Sequence, residues 1–430
     1  MTASAIREDW LAAAVGRLPD NGLRAVRERA LAQFAKHGLP DKTMEDWRYT
    51  SLQPVVELSN AWLSSAADLL LTPSSRPEDP VKQSEDGAIS RAIDAHWLRF
   101  LNGRLLNGTS PDPASFRIGS PGPEVRELLI DDGLSSLNAA LLHDAVHITV
   151  PGGVTVSRPV GLLLANDAAG HDSVGMSRIL LEVGPGAELD VIENHLTRSA
   201  APSFAGVVIE LRLARAARVR FLRLQECGDA QILTSRLQVS VGQDASLRYT
   251  SIDLGGALVR NEVVADLSFP GSDVQVNGLY LATGTQHIDN HIRIDHRVGP
   301  ARSRTAFRGI LHDRSRCVFN SKAIVHKGAD GTDAAQSNHN LLLSDKAEID
   351  TKPELEIYAD DVKCAHGATV GQLDEAALFY LRSRGIDVDA ASRLLTRAFA
   401  ASVLGEVPVA AAAGYVAGRI DQRLDLVVRE

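Results

Sequence analysis

Between residues 145 and 355 the chain alternates apolar and polar positions with the period of two that is typical of β-strands. The segments RILLEVGPGAELDVIE, IELRLARAARVRFLRLQE and LQVSVGQDASLRYTSI each contain two such strands around a four-residue turn. Successive turns begin at Gly184, Ala214, Gly242 and Pro270, at intervals of 30, 28 and 28 residues. A strand–turn–strand unit that recurs at this length indicates a solenoid.

A parallel β-helix is the solenoid that fits this repeat best. Propeller blades of the kelch or WD type need about 40–50 residues per repeat. In a β-helix the apolar residues stack into a continuous core, and in the first repeat these are Leu180, Val183, Leu189 and Val191. The polar residues expected to face solvent there are Arg178, Glu182, Glu188 and Asp190. An all-β sandwich is the alternative that the pattern leaves open.

Helical patterns flank the strand region on both sides. GLRAVRERALAQFAKHGLP places apolar residues on one face and is stopped by Gly38 and Pro40, and DEAALFYLRSRGI begins a run of C-terminal helices. We therefore predict three parts: a mostly helical N-terminal domain, residues 1–143, with a linker at about 73–88; a β-helix core, residues 144–366; and a helical C-terminal domain, residues 367–430. Because solenoids need capped ends, we expect the terminal helices to supply a cap.

Charge and cysteine content narrow the class of protein. The 430 residues include 45 Lys and Arg against 54 Asp and Glu, a net charge of −9, which disfavours nucleic acid and anionic lipid as partners. No apolar run reaches the roughly 18–20 residues that span a bilayer, and MTASAIREDW lacks the features of a secretory signal. Three widely spaced cysteines, Cys227, Cys317 and Cys364, do not form a disulfide framework and favour a cytoplasmic protein.

Common catalytic motifs are absent from the sequence. It contains no GxxxxGK[ST] loop, no GxGxxG between a strand and a helix, no GxSxG and no HExxH. We therefore expect that this chain neither binds nor hydrolyses a nucleotide. The absence favours a non-catalytic scaffold over an enzyme.

The stretch DDVKCAHGATVG carries the candidate metal ligands Cys364 and His366. On an extended chain, residues two apart face the same side, so one metal ion can contact both. A thiolate with an imidazole suits zinc or ferrous iron, but two ligands are too few for a closed site. The remaining ligands must then come from elsewhere or from another chain. The alternative is that the cysteine packs as a small apolar residue and the histidine lies at a rim.

Other polar clusters have a structural and a functional interpretation. In QHIDNHIRIDH, His287, Asp289 and His291 share one strand face, which suits either a metal patch or the outer polar face of a β-helix. The opposite face carries Ile288, Ile292 and Ile294, which favours the outer-face interpretation. The remaining candidates for structural roles are Asn338 and Asn340 in QSNHNLLL and the isolated cysteines Cys227 and Cys317.

Two segments resemble a known family. The run AAQSNHNLLLSDKAEIDTKPELEIYADDVKCAHGATVGQLDEAALFYLRSRGI, residues 334–386, is similar to the SufB/SufD family of iron–sulfur cluster assembly proteins. MEDWRYTSL, residues 44–52, resembles the entry motif of that family. The variant HGATVGQLDE is more similar to the SufD branch than to the SufB branch.

The resemblance implies a fold, partners and a site. It implies a right-handed parallel β-helix flanked by helical domains. It also implies a scaffold subunit that pairs with a SufB-like subunit and binds a SufC-like ABC ATPase through its C-terminal helices. Cys364 and His366 would then lie near the interface between the two scaffold subunits and serve a transient iron or nascent Fe–S cluster. A homodimer of the isolated chain is possible because β-helix edges invite pairing. The persulfide-accepting cysteine belongs to the SufB branch and is assigned to no residue here.

Two enzyme hypotheses compete with the scaffold. One is a β-helix enzyme acting on carbohydrate with Asp289 and Asp295 as catalysts, although aromatic residues make up only 5% of the chain. The other is a metal-dependent enzyme that uses the cluster from His287 to His296.

Overall fold

The computed structural model describes residues 5–65, 88–107, 110, 112–119, 132–167, 173–197 and 199–427. The predicted linker at about 73–88 lies almost wholly outside these residues. Within them, strands dominate the centre of the chain, and helices precede and follow it. The prediction of a mainly β chain flanked by helices is confirmed.

The strands in chain order are β1 (His96–Leu101), β2 (Arg104–Leu105), β3 (Arg117–Gly119), β4 (Ala145–Val150), β5 (Val160–Asn166), β6 (Ser173–Val183), β7 (Glu188–Thr197), β8 (Ser203–Leu213), β9 (Arg218–Glu226), β10 (Gln231–Val241), β11 (Ser246–Asp253), β12 (Leu258–Leu267), β13 (Asp273–Ala282), β14 (His287–His296), β15 (Arg302–Leu311), β16 (Arg316–Val325), β17 (Asp333–Leu342), β18 (Glu348–Ile357) and β19 (Lys363–Gly371). The helices are α1 (Glu8–Arg17), α2 (Arg24–His37), α3 (Gln53–Ser65), α4 (Ala88–Ala92), α5 (Gly133–Ala140), α6 (Glu375–Ser383), α7 (Val388–Leu404) and α8 (Ala413–Val427). Two short 3₁₀ turns lie at Glu45–Trp47 and Ala410–Ala412.

From β4 onward, successive strands alternate between two sheets, and each strand pairs in parallel with the strand two places later. Among these, the odd-numbered strands form sheet A, which also contains β1 and β2, and the even-numbered strands form sheet B, which also contains β3. This is the connectivity of a parallel β-solenoid, in which each rung contributes one strand to each sheet. The predicted β-helix is therefore confirmed, and the sandwich alternative is wrong.

The apolar core runs along the inside of the solenoid. Val183, Leu189 and Val191, three of the residues predicted to face inward, belong to it. Leu180 is also buried, but it lies outside this cluster, and its neighbours Ile179 and Leu181 belong to the core instead. The predicted inward set was inconsistent, because Leu180 and Val183 lie on the same strand at positions that face opposite sides of the sheet.

The prediction that Arg178 is solvated is wrong. Its side chain is fully buried, and its guanidinium donates to Asn138 Oδ1 on α5 at 3.1 Å and to Glu210 Oε1 at 3.2 Å. Helix α5 lies over this part of sheet B and shields an outward-pointing side chain from water. Glu182, Glu188 and Asp190 are only partly exposed.

The N-terminal helices cover the outer face of sheet B. Leu11 of α1, Trp62 of α3 and Leu137 of α5 pack in one cluster with sheet residues such as Phe204 and Ile232. Burying apolar residues of both partners gives the sheet a second hydrophobic layer outside the solenoid core.

The C-terminal helices cover the outer face of sheet A. Val416 and Ile420 of α8 and Val403 of α7 pack against a column that includes Leu222 and Leu279. The expected helical cap over the solenoid end is therefore wrong for the C-terminal helices, because they bury their apolar faces against the side of the solenoid. In the last rung, β19 is left largely exposed and β18 is half-buried.

The three-part division remains a prediction. Strands β1 and β3, which precede residue 144, already pair with the solenoid sheets, and β19 continues to Gly371.

Candidate functional site

The last rung of the solenoid has two free strand edges. Strand β18 ends sheet B and β19 ends sheet A, so among the described residues each has a strand neighbour on one side only. The Lys363 amide donates to the Thr332 carbonyl at 2.8 Å, toward β17. Because N–H groups along a strand alternate in direction, the amides of Cys364, His366 and Ala368 face away from β17. No described residue accepts from them, so they form a row of available donors at the end of the solenoid.

Cys364 and His366 lie on the inward face of this rung. Cys364 pairs in register with Ala334, and His366 with Gln336. Both β17 residues are buried, and the column below Gln336 leads to Val276 in the solenoid core. In-register neighbours of a parallel sheet share a face, so the thiol and the imidazole both line the open end. The chain thus brings the two predicted ligands to one surface, while their role as ligands stays a prediction.

The environment of the Cys364 thiol disfavours its ionisation in the isolated chain. Cys364 is half-buried, and burial raises its pKa above the ordinary value, although the Ala334 amide partly offsets this. A metal ion must displace that proton to bind the thiolate. The isolated rung is therefore a poor metal site that needs a further charge or ligand.

A hydrogen-bonded polar network lies below the open end. Asn338 and Asn340 share the Tyr280 hydroxyl, which donates to Asn340 Oδ1 at 2.5 Å and accepts from Asn338 Nδ2 at 3.0 Å. Thr351 on β18 donates to Asn338 Oδ1 at 2.8 Å and joins the two sheets. The partners support the structural role predicted for both asparagines. Gln336 was missed by the sequence analysis; the available signal was its position one 30-residue rung before His366.

The other two cysteines are enclosed in the solenoid core. Cys227 and Cys317 are buried, and burial raises the pKa of the Cys227 thiol to about 12 and that of Cys317 well above its usual value. Thiols this hard to ionise are unreactive. The prediction that both are core or wall residues is confirmed.

The MEDWRYTSL motif fastens the N-terminal part to sheet B. Trp47 lies against the guanidinium of Arg260, 4.0 Å from ring centroid to carbon. Thr50 Oγ1 donates to Asp289 Oδ2 at 2.5 Å, and Arg260 donates to the same oxygen at 2.6 Å. Burial alone would raise the pKa of Asp289, but Arg260, His291 and Thr50 together outweigh it and hold that pKa well below its usual range. We call Trp47, Thr50, Arg260 and Asp289 the N-terminal latch.

The environment of Asp289 and its neighbours argues against both enzyme hypotheses. Asp289 is fully buried, and Asp295 is buried and paired with Arg293 and His326, so neither carboxylate is open to a polysaccharide. Ile288, Ile292 and Ile294 face the core as predicted. In the part of the chain that the structure describes, no three His, Cys, Asp or Glu side chains are grouped closely enough to hold a metal ion.

Apolar side chains are exposed at the end of the solenoid and on α6. The most exposed are Phe379 at 74%, Tyr358 at 62% and Tyr380 at 57%, with Val370 and Ile357 less so. Helix α6 has no buried residue, although α7 contacts it. Large apolar side chains exposed in this way are typical of protein–protein interfaces. None of the helices within the described residues is long and apolar enough to cross a membrane.

Comparison with known proteins identifies the family. The model of the SUF system FeS cluster assembly SufBD core domain matches residues 165–399. The iron–sulfur cluster assembly protein SufD of Escherichia coli (strain K12) is 30% identical over 403 residues, 92% of each chain. A SufBD family protein of Synechocystis is 29% identical over 94% of this chain and 91% of its own length, and SufD of Bacillus subtilis is 25% identical over 64% and 63%. The chain belongs to the SufB/SufD family of iron–sulfur cluster assembly proteins.

Proposed function

We propose that this chain is a non-catalytic scaffold subunit that pairs end to end with a SufB-like subunit. The observation that carries the proposal is the open last rung, where two free strand edges surround the inward-facing Cys364 and His366. A second solenoid can extend both sheets, because carbonyl groups of its end strand would accept hydrogen bonds from the outward amides of β19. The same contact would cover Val370 and Ile357. The same contact would complete the ligand set around the thiol and the imidazole.

Iron, or a nascent iron–sulfur cluster, is the cargo of this interface. A thiolate and an imidazole suit ferrous iron, and an incomplete site binds it weakly enough for the product to leave. A partner that covers the rung excludes water and supplies the missing ligands. In this account the cluster is held only while the two subunits are joined.

The C-terminal helices are the proposed docking surface for a SufC-like ATPase. Phe379 and Tyr380 on α6 are exposed, and α7 and α8 connect that helix to sheet A. ATP-driven association of two ATPase subunits would pull on these helices and open the end of the solenoid. The nucleotide would be bound by the partner. The three free cysteines favour a reducing compartment, and we propose the cytoplasm.

An edge-strand variant tests the pairing. We expect Ala368→Pro to abolish the association with the SufB-like subunit, because proline removes an amide that faces away from β17. The variant should keep the thermal midpoint of the wild type within a few degrees, since no hydrogen bond to β17 is lost. Ala368→Val is the matched control, and we expect it to pair normally. Retention of the proline variant by a tagged SufB-like subunit would contradict pairing through β19.

A further inference from the structure

Gln336 carries an unused hydrogen-bond acceptor at the base of the open rung. Its side chain is 6% exposed, and its Nε2 donates to the Glu354 carbonyl on β18 at 3.1 Å. The Oε1 atom is shielded from solvent and has no hydrogen-bond partner among the described residues. Because the donated bond fixes the amide plane, the free oxygen has a defined direction.

The group best placed to satisfy this oxygen is the imidazole of His366. His366 is the in-register neighbour of Gln336 on β19, one strand spacing away and on the same inward face. In the structure its side chain is exposed and does not reach the oxygen. A buried acceptor without a partner is unfavourable. Rotation of the imidazole ring toward Gln336 would form the missing hydrogen bond and lower the free energy of the folded chain.

We infer that Gln336 is the positioning residue for His366: its Oε1 accepts the imidazole N–H and turns the ring inward beside Cys364. The inference rests on the proposed iron-binding role of Cys364 and His366. Metal-binding histidines commonly donate their second ring N–H to such an acceptor, which fixes the tautomer and the ring orientation. The other ring nitrogen is then presented to iron on the face that the thiol shares.

Because of the position of Gln336, orienting His366 does not require a second subunit. The glutamine is anchored to β18 and stacked beside His366 on sheet A, so it belongs wholly to this chain. The imidazole is therefore oriented before a second subunit arrives. Completion of the site by a partner then requires added ligands but no reordering of His366.

Histidine-selective ¹⁵N NMR of the full chain tests the hydrogen bond. The wild type is expected to show an imidazole N–H signal, protected from solvent exchange, that disappears in His366→Ala. Gln336→Met, which has a similar volume but no oxygen acceptor, should lose the same signal, and Gln336→Glu should keep it. Ser337→Ala, on the outer face of β17, is the matched control and should keep it too. Absence of the signal from the wild type, or its survival in Gln336→Met, would overturn the inference.

Titration of the same variants with cobalt(II), a spectroscopic substitute for ferrous iron, tests the consequence for metal binding; each variant is titrated as its reduced complex with the SufB-like subunit, because the isolated rung offers too few ligands. Loss of such a supporting hydrogen bond typically weakens metal binding by about 10- to 100-fold, and we expect this for Gln336→Met. Unchanged affinity in that variant would overturn the positioning role. The proposed role of His366 fails separately, if the complex that carries His366→Ala binds cobalt(II) as the wild-type complex does or the wild-type complex binds none.

Discussion

Replacing His366 by alanine is expected to abolish cluster formation while the complex with the SufB-like and SufC-like proteins still assembles. The imidazole lies on the inward face of the last rung and makes no part of the apolar surfaces that bury α7, α8 or the solenoid core. Its loss removes one of the two ligands proposed for this chain. The measurement is acid-labile sulfide and iron per complex after anaerobic reconstitution with ferrous iron and sulfide.

His339→Ala is the matched control for this experiment. His339 lies on the adjacent strand β17 but on its outer face, where Nδ1 is 2.8 Å from Thr369 Oγ1. We expect that variant to form clusters as the wild type does. A wild-type cluster content in His366→Ala would contradict the ligand role, and loss of the complex itself would show that the residue acts through assembly.

Replacing Asp289 by alanine is expected to release the N-terminal latch, at a cost of about 3–5 kcal/mol, the usual penalty for breaking a buried ion pair. The substitution leaves the Arg260 guanidinium buried without its carboxylate and removes the acceptor of Thr50. The measurements are the urea midpoint and the rate of limited proteolysis in the N-terminal segment. Because the folded-state pKa of Asp289 is depressed, its contribution is complete above about pH 4, the ordinary carboxyl range, and is lost only in stronger acid.

Asp266→Ala provides the comparison for the latch. Asp266 pairs with Arg297 at 2.7 Å on the neighbouring strand β12, but both side chains are partly exposed. An exposed pair contributes at most about 1 kcal/mol, so this variant should unfold near the wild-type midpoint. Equal effects of the two substitutions would contradict the view that Asp289 holds the N-terminal segment in place.

The repeat could be predicted from the sequence because strand parity is a local property. Leu189 and Val191 were correctly predicted to face inward from alternation alone, and the turns at Gly184 and Ala214 lie between consecutive strands, β6 and β7 and then β8 and β9. The burial of Arg178 could not be predicted, because strand parity indicates which side of the sheet a residue faces but not what packs over that side. Helix α5 covers it through contacts distant in sequence.

The site was only partly predictable for a similar reason. The spacing of Cys364 and His366 placed both on one strand face, and the structure agrees. That this strand ends sheet A depends on the C-terminal helices turning back along the solenoid side, which amphipathic patterns do not reveal. The 30-residue spacing between Gln336 and His366 was available in the sequence, but its meaning depends on the exact register of β17 and β19, which the structure supplies.

The most direct test of the scaffold account is the composition of the complex in solution. This chain would be expressed anaerobically with its cognate SufB-like and SufC-like proteins, purified through a tag on this chain, and its mass measured by light scattering. The account predicts a stable heteromer that contains all three proteins. A monomer or homodimer that retains neither partner would contradict it.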